Sequence, residues 1–379
     1  MYVDLTKFNP SYYGGVRRFC VDLIIEISNY KPLKILIFDE NLSEIEKIFS
    51  GKENIKIINI KNSFLIEHFL SAFALFCSVI KSDRLYSKIS SLLKPFPVRS
   101  SDDIVCYTPN SVVNYFGKNI INIVSIHDLQ HEIIPNNFDY LTRLYRWSRY
   151  RATLRNAKIV QISSVTMQEE IQKLTGLSAM KFKYIPEFAG EHFVSKIRHL
   201  RRYRDDNNEN LITVFYPAQL WPHKGHIDLL KDLNEVSVNL NISIDVNFCG
   251  QIFNQDIHKK ITNFRSSKLN ILHHGLVSDQ KLLGLYSSAN VVIVPSYYES
   301  SSLPLIEACM SKIPVIARDI PVFRELSVSL PISLYETNKD LQAYFNKIPT
   351  SETKLGNEGD KFLLENVARI YTSVFKQIK

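Results

Sequence analysis

The chain is 379 residues long, about two domains on the usual size prior, and its 45% hydrophobic residues can bury two ordinary cores. Lysine and arginine (46) outnumber aspartate and glutamate (38), for a formal net charge of +8, which implies an anionic partner such as a nucleoside diphosphate, an anionic bilayer or nucleic acid. The five cysteines are scattered, odd in number and form no C-x-x-C pair, which argues against a disulfide frame or a zinc site and for reduced, buried thiols in a cytosolic protein.

Met1 to Pro10 is polar, carries Asp4 and Lys7, and does not read as a secretory signal. Next comes Gly14-Gly15, followed by helical periodicity over Val16, Phe19, Cys20, Leu23, Ile24 and Ile27. A glycine pair opening a helix lets backbone amides approach a ligand, with Arg17 and Arg18 alongside. Strands are predicted over 34–38 and 55–60, then over 103–107 and 120–126. Alternation of strand and helix implies a doubly wound sheet. Phe64 to Ile80 is the one long apolar stretch, but it contains Glu67 and His68. It is shorter than the ~20 residues a spanning helix needs, so a buried or interfacial helix is expected.

The 120–126 strand ends at His127-Asp128, where a neutral imidazole can donate or accept in a cleft. The same pair also occurs in metal phosphohydrolases, but the further His and Asp ligands that chemistry needs are not found. Tyr140 to Lys158 interleaves Arg143, Arg146, Arg149, Arg151, Arg155 and Lys158 with Leu141, Leu144, Tyr145, Trp147 and Leu154. That is the composition of an interfacial helix on anionic lipid, or of an ordinary solvated arginine face. No nucleic-acid module surrounds it. Further strands are predicted over 158–163 and 182–186. Charged residues then crowd the stretch up to Asn210, which reads as a linker.

The second half opens with a buried strand over 211–216 and the string Pro217-Ala218-Gln219-Leu220-Trp221-Pro222-His223-Lys224. A lysine in a strand-to-helix loop suits a β-phosphate. Strands over 243–249 and 270–273 follow, then Gly275-Leu276-Val277. Val291 to Val294 is an unbroken β-branched run, the mark of a strand buried on both faces. After it come a polar loop, a helix from Leu303 with Pro304 in its first turn, and a short strand over 314–317. Glu299 hangs in that loop and Glu307 sits about one turn into the helix. Between them Ser301, Ser302 and the first amides from Leu303 form an anion site on which a diphosphate can rest, with a carboxylate on either side for hydroxyls. Two acids at a strand's carboxyl end occupy the place where such sheets bind ligands.

Glu299, seven residues, Glu307, then Ala308 and the strand Pro314-Val315-Ile316-Ala317 resemble the E-x7-E signature of retaining GT-B glycosyltransferases of family 4. The Pro217 to Lys224 string is similar to a branch that includes bacterial polysaccharide mannosyltransferases. The resemblance implies two Rossmann-like doubly wound domains with the active site in the cleft between them. It implies that Glu299 contacts the transferred sugar, Glu307 holds the ribose, Lys224 binds phosphate aided by His223, and Val277 lines the base. It also implies that His127 and Asp128 lie beside the donor sugar and that the Gly14-Gly15 loop borders the sugar and the acceptor. Two positions depart from the pattern: Ser300-Ser301-Ser302 replaces Gly-Phe-Gly, and Ala218 stands where many relatives have an arginine.

The expected organisation is an acceptor-side domain over 1–190, a linker over 191–210, a nucleotide-sugar domain over 211–357 and a last helix over 358–379 that packs back on the first domain. The expected reaction moves a hexose, mannose favoured, from a GDP- or UDP-sugar to a hydroxyl of a glycan or lipid-linked acceptor. No metal or other cofactor is expected. The expected place is the cytoplasm or the cytoplasmic face of the inner membrane, held there by the Arg143 to Lys158 helix, without nucleic acid as a partner. The alternatives are a phosphorylase or sugar-nucleotide epimerase on the same fold, or a non-catalytic binder of anionic surfaces.

Overall fold

The computed structural model describes residues 1–10, 15–98, 100–201, 211–346 and 357–377. The chain divides into two compact units, Met1–Pro186 with Ala368–Lys379, and Glu187–Val367.

Among the described residues the first unit holds seven parallel strands: β1 (Tyr2–Asp4), β2 (Leu33–Phe38), β3 (Ile55–Ile60), β4 (Ile104–Thr108), β5 (Ile120–Ser125), β6 (Ile159–Ile162) and β7 (Phe182–Tyr184). Their order is β3-β2-β1-β4-β5-β6-β7, so the sheet reverses direction of growth between β1 and β4. In such sheets the ligand crevice opens at that switch point, beyond the strands' carboxyl ends. β1 is only three residues long and ends in a buried aspartate. The Asp4 carboxylate accepts from the Thr6 amide (3.0 Å), the Thr6 hydroxyl (2.6 Å) and the Asn114 side-chain amide (3.1 Å), which satisfies a charge that burial alone would penalise.

The basic helix forms over Tyr140–Asn156, but it is not a free cationic face. Asp139 caps it by accepting from the Thr142 amide at 2.9 Å, and the Ser148 hydroxyl donates to the Ala74 carbonyl of the helix Phe64–Val79. Arg149 donates to the side-chain oxygen of Asn114 at 3.2 Å. Arg151 donates to Glu132 at 2.7 Å, and Arg155 to Asp83 at 2.6 Å. Arg146 lies over the Phe138 ring, 4.6 Å from its centre. These four arginines tie helices and loops together, so of the expected basic stripe only Arg143 and Lys158 are left exposed outside these contacts. The guanidinium fork suits such half-buried bracing better than a lysine would.

Among the described residues the second unit holds six parallel strands: β8 (Leu211–Pro217), β9 (Ser243–Cys249), β10 (Leu269–His273), β11 (Val291–Val294), β12 (Val315–Arg318) and β13 (Ile332–Tyr335). Their order, β10-β9-β8-β11-β12-β13, repeats the arrangement of the first sheet with its switch point between β8 and β11. All four residues of β11 are fully buried at the centre of the core.

The expected linker over 191–210 differs in its first half, where Glu191–Arg201 is a helix of the second unit. Val194 and Ile197 are buried in that unit's core and Phe193 packs against it. Its arginines are not linker charge. Arg198 donates to the carbonyl of Met310, the last residue of the helix Leu303–Met310, at 2.9 Å through Nε. Arg201 donates to the Ala289 carbonyl, just past the helix Asp279–Ser288, at 2.7 Å. Cations that satisfy carbonyls at helix C-termini are favoured both by hydrogen bonding and by the helix dipole. Residues 202–210 lie outside the described residues.

The chain ends in the helix Leu364–Lys376, whose residues from Ala368 belong to the first unit. There the Tyr371 hydroxyl lies 3.0 Å from the Ser125 hydroxyl, which is itself 2.7 Å from that of Tyr107. All five cysteines are buried, and none is joined to another in a disulfide.

Gly250, just past β9, has a φ of +147°, and a Cβ placed there would lie 2.4 Å from the Ala218 carbonyl oxygen. Gly250→Ala therefore forces β8 and β9 apart at their carboxyl ends. It should lower the unfolding free energy by about 2–3 kcal/mol in urea titrations; an unchanged midpoint would show that the strand ends adapt freely.

Candidate active site

At the switch point of the second sheet, two loops meet. The loop after β8 runs through a single tight turn over Pro222–Lys224 to Gly225, and the loop after β11 runs from Pro295 to Ser302. Gly225 has a φ of +69°, and a Cβ on it would lie 2.5 Å from the Pro295 carbonyl oxygen, so only glycine allows this approach. The same carbonyl accepts from Arg318 Nε at 2.9 Å, and the Tyr297 amide donates to the His223 carbonyl at 2.8 Å. The two loops are thus joined through their backbones before any side chain at the site is considered.

That junction brings Lys224 onto Glu299. Lys224 Nζ donates to Glu299 Oε1 at 2.6 Å, and both side chains are largely shielded from solvent. The same oxygen accepts from the Ser296 hydroxyl at 2.7 Å, and Ser296 in turn is 2.8 Å from the Tyr216 hydroxyl near the end of β8. The relay Tyr216–Ser296–Glu299–Lys224 fixes the acid's orientation from below and its charge partner from the side.

Glu307 lies one turn into the helix Leu303–Met310 and is 3% exposed, so it is neither a solvent-facing residue nor a surface charge. Its Oε2 accepts from the Tyr286 hydroxyl at 2.9 Å. Ser301 and Ser302 are buried in the approach to the helix, and Leu303 is its first residue. Ser302 occupies the N-cap position, yet its side chain makes no capping hydrogen bond. The first-turn N–H groups are therefore not met by that hydroxyl, as suits an anion-receiving helix start.

Glu187 belongs to this cluster although it precedes the second sheet in sequence. Half-buried beside the Ser301 hydroxyl, its carboxyl group is pushed up to about 7, first by burial and then by the charges of Glu299 and Glu307, against the pull of Ser301 and Lys224. His223 is buried next to Lys224, and burial together with that cation pushes its imidazole down to about 3, so it is neutral near pH 7. Val277 packs partly buried against the second unit's core, and Gly275 in the same loop accepts from the Gly250 amide at 2.9 Å.

The remaining sequence candidates belong to the first unit. Gly14 lies outside the described residues, and Gly15 is the exposed first residue of the helix Gly15–Tyr30. His127 Nε2 is 2.7 Å from the Pro109 carbonyl, which can only accept, so Nε2 carries the proton and Nδ1 is the acceptor. Burial holds this imidazole below its usual range, and its ring meets Phe19 edge-on at 5.0 Å. Asp128 Oδ1 accepts from the Gln130 amide at 3.2 Å and steadies the start of the short helix Gln130–Ile133.

The structure thus brings Lys224, Glu299, Glu307, Ser301, Ser302 and His223 together in one unit. Sequence reasoning missed Glu187, Ser296, Tyr216 and Tyr286, whereas Arg318, expected with Arg324 to assist a pyrophosphate, donates to the Pro295 carbonyl. Ser296, directly after β11, offered a signal, since a hydroxyl at a strand's carboxyl end three residues before an acid is well placed to orient it. Tyr286 gave none beyond its place on an apolar helix face.

Residues 201–349 match the family model described as glycosyl transferases group 1. Over 205 residues the chain is 26% identical to the O-antigen chain mannosyltransferase RfbU of Salmonella typhimurium, covering 54% of this chain and 53% of that protein. A segment of 110 residues is 34% identical to the serotype-specific mannosyltransferase WbdA of Escherichia coli, covering 28% of this chain and 13% of that one. The chain therefore spans about half the length of the first of these relatives and much less of the second. Among solved structures, Anabaena HepE in complex with UDP and glucose superposes with a TM-score of 0.62 at 14% identity, over 99% of this chain and 98% of that one. Residues 201–349 are thus similar to the group 1 glycosyl transferases, and the two parallel sheets share the GT-B fold of solved glycosyltransferase structures.

Proposed function

We propose that the protein transfers a hexose from a nucleoside diphosphate sugar to a hydroxyl of a growing glycan or lipid-linked acceptor, with retention of anomeric configuration. The observation that carries this reading is the ordering of one cation and two acids at a switch point, Lys224 on Glu299 with Glu307 one helical turn beyond. Mannose is the favoured sugar because the Salmonella and Escherichia coli relatives are named mannosyltransferases.

In this reading the diphosphate settles at the start of the helix Leu303–Met310 and draws Lys224 toward it. Lysine and helix amides then stabilise the charge that develops as the sugar–phosphate bond breaks, without need of a metal ion. Glu299 already has Oε1 fixed by Ser296, which directs Oε2 to a sugar hydroxyl. Glu307, steadied by Tyr286, accepts from the ribose. A leaving phosphate oxygen takes the acceptor's proton as the new bond forms on the same face. A phosphorylase or an epimerase would use the same donor residues, and product analysis with and without an acceptor glycan separates them.

Glu307→Gln keeps an oxygen for the Tyr286 hydroxyl but removes the charge, so the fold should survive. Affinity for GDP or UDP, read by calorimetry, should fall by about 10- to 100-fold while turnover at saturation changes less. Unchanged affinity would remove Glu307 from the ribose site.

Glu187 adds a pH dependence. Its folded-state value lies above the ordinary 4.5, so the folded protein holds a proton that the unfolded chain releases. The stability this contributes is present below 4.5 and is lost as pH rises to about 7. Glu187→Gln should flatten that fall in urea titrations across the same window. An identical slope in the variant would show that the acid is not protonated there.

A further inference from the structure

The carboxyl-end rim of the second sheet holds a polar cluster that the donor residues do not use. Asp228 and Asp232 stand one turn apart on the helix His226–Leu240, and Tyr297 lies in the loop after β11. Arg318 and Tyr335 are the last residues of β12 and β13. The Tyr297 hydroxyl donates to Asp228 Oδ2 at 3.0 Å. The Arg318 guanidinium lies 4.2 Å from the centre of the Tyr297 ring and 5.3 Å from that of Tyr335. Tyr297 is nevertheless 51% exposed.

This cluster carries more hydrogen-bonding capacity than the described residues use. Asp232 is half-buried and accepts from no donor among them. Burial lifts its carboxyl above the ordinary range, and Arg318 attracts it without forming an ion pair. Arg318 commits Nε to the Pro295 carbonyl, and its terminal nitrogens find no acceptor among the described residues. The Tyr335 hydroxyl is buried without a hydrogen-bond partner there, within electrostatic reach of Arg318, Asp232 and Asp228. Polar groups that are shielded and unpaired are costly, so three of them at one rim point to a ligand that pairs them.

We infer that this rim is a subsite for a neutral sugar residue of a glycan, beside the donor sugar but held by different side chains. An anion would be opposed by Asp228, Asp232 and Glu235, and a cation by Lys231 and Arg318. Among the described residues no three acidic, imidazole or thiol groups converge as metal ligands would. Vicinal hydroxyls meet both demands, since they donate to Asp232 and accept from Arg318. The carbon face of a pyranose packs on the exposed part of the Tyr297 ring. Glu299, two residues further on, turns instead to Lys224 and Ser296. The rim also occupies the end of the sheet at which such folds bind ligands.

The inference extends the sugar-transfer reading, but its test reads binding by the full chain and not transfer. α-Linked mannotetraose and maltotetraose are titrated in turn by calorimetry, with GDP titrated separately. Asp232→Ala should weaken tetrasaccharide binding by about tenfold or more and leave GDP affinity unchanged. Tyr297→Phe, which keeps the ring, should lose less than Tyr297→Ala. Asp232 has no hydrogen bond to lose and alanine favours a helix, so the unfolding temperature of Asp232→Ala should hold or rise at pH 7. Failure of the unsubstituted chain to bind either tetrasaccharide overturns the inference, as does equal binding by Asp232→Ala. A fall in that variant's unfolding temperature overturns it too, by giving the carboxylate to the fold. Binding lost in Glu299→Gln but kept in Asp232→Ala overturns it by placing the sugar at the donor site. Stabilisation by calcium that Asp232→Ala removes overturns it in favour of a cation. Tetrasaccharide binding that Asp232→Ala weakens, in a chain that does not bind GDP, would sink the donor reading and uphold this one.

Discussion

Much of the second unit's site depends on a backbone approach: Gly225 against the carbonyl of Pro295. No side chain other than hydrogen fits there, and the positive φ adds a second reason for glycine. With that approach made, Lys224 and Glu299 fall into contact at a place set by two β-strands and not by two mobile loops. Arg318 and the Tyr297 amide hold the same junction from other directions. A cation and an acid fixed in this way need little reorganisation when charge develops between them, which is the condition under which electrostatic stabilisation is effective. The pair is also mutually satisfied, so on the proposed reading an incoming diphosphate competes with a carboxylate for the lysine.

The strands rich in isoleucine, valine and leucine were legible almost residue for residue, because burial on both faces leaves an unbroken apolar run. Ser243–Cys249 and Val291–Val294 have the expected ends. β1 was not legible. It is three residues long, its aspartate is buried, and nothing local distinguishes Tyr2–Asp4 from a polar terminus. Only its position between β2 and β4 makes it a strand. Within the site, Glu299, Glu307 and Lys224 could be read from spacing and from strand ends. Glu187 could not, since its neighbours Glu299 and Glu307 are more than a hundred residues away in the chain and only the fold brings them near.

Positive charge misled in a consistent direction. Arginines over 140–158 and 191–201 suggested a membrane stripe or solvated face and a linker, but most of them are braces, with Arg143 left exposed. Arg151 and Arg155 hold carboxylates of neighbouring elements, while Arg198 and Arg201 close the carbonyl ends of other helices. A guanidinium can be half-buried and still find partners for its N–H groups, whereas an ammonium is harder to place there.

The hydroxyl chain of Tyr107, Ser125 and Tyr371 has a consequence for biosynthesis. Ser125 and Tyr371 are 246 positions apart, and the second unit is encoded between them. A ribosome therefore delivers the whole second unit before it releases the segment that completes the first. The first unit's sheet must wait, with the seat for that helix open, while the second unit is synthesised, and a nascent-chain chaperone would find apolar surface there until the helix after residue 367 emerges.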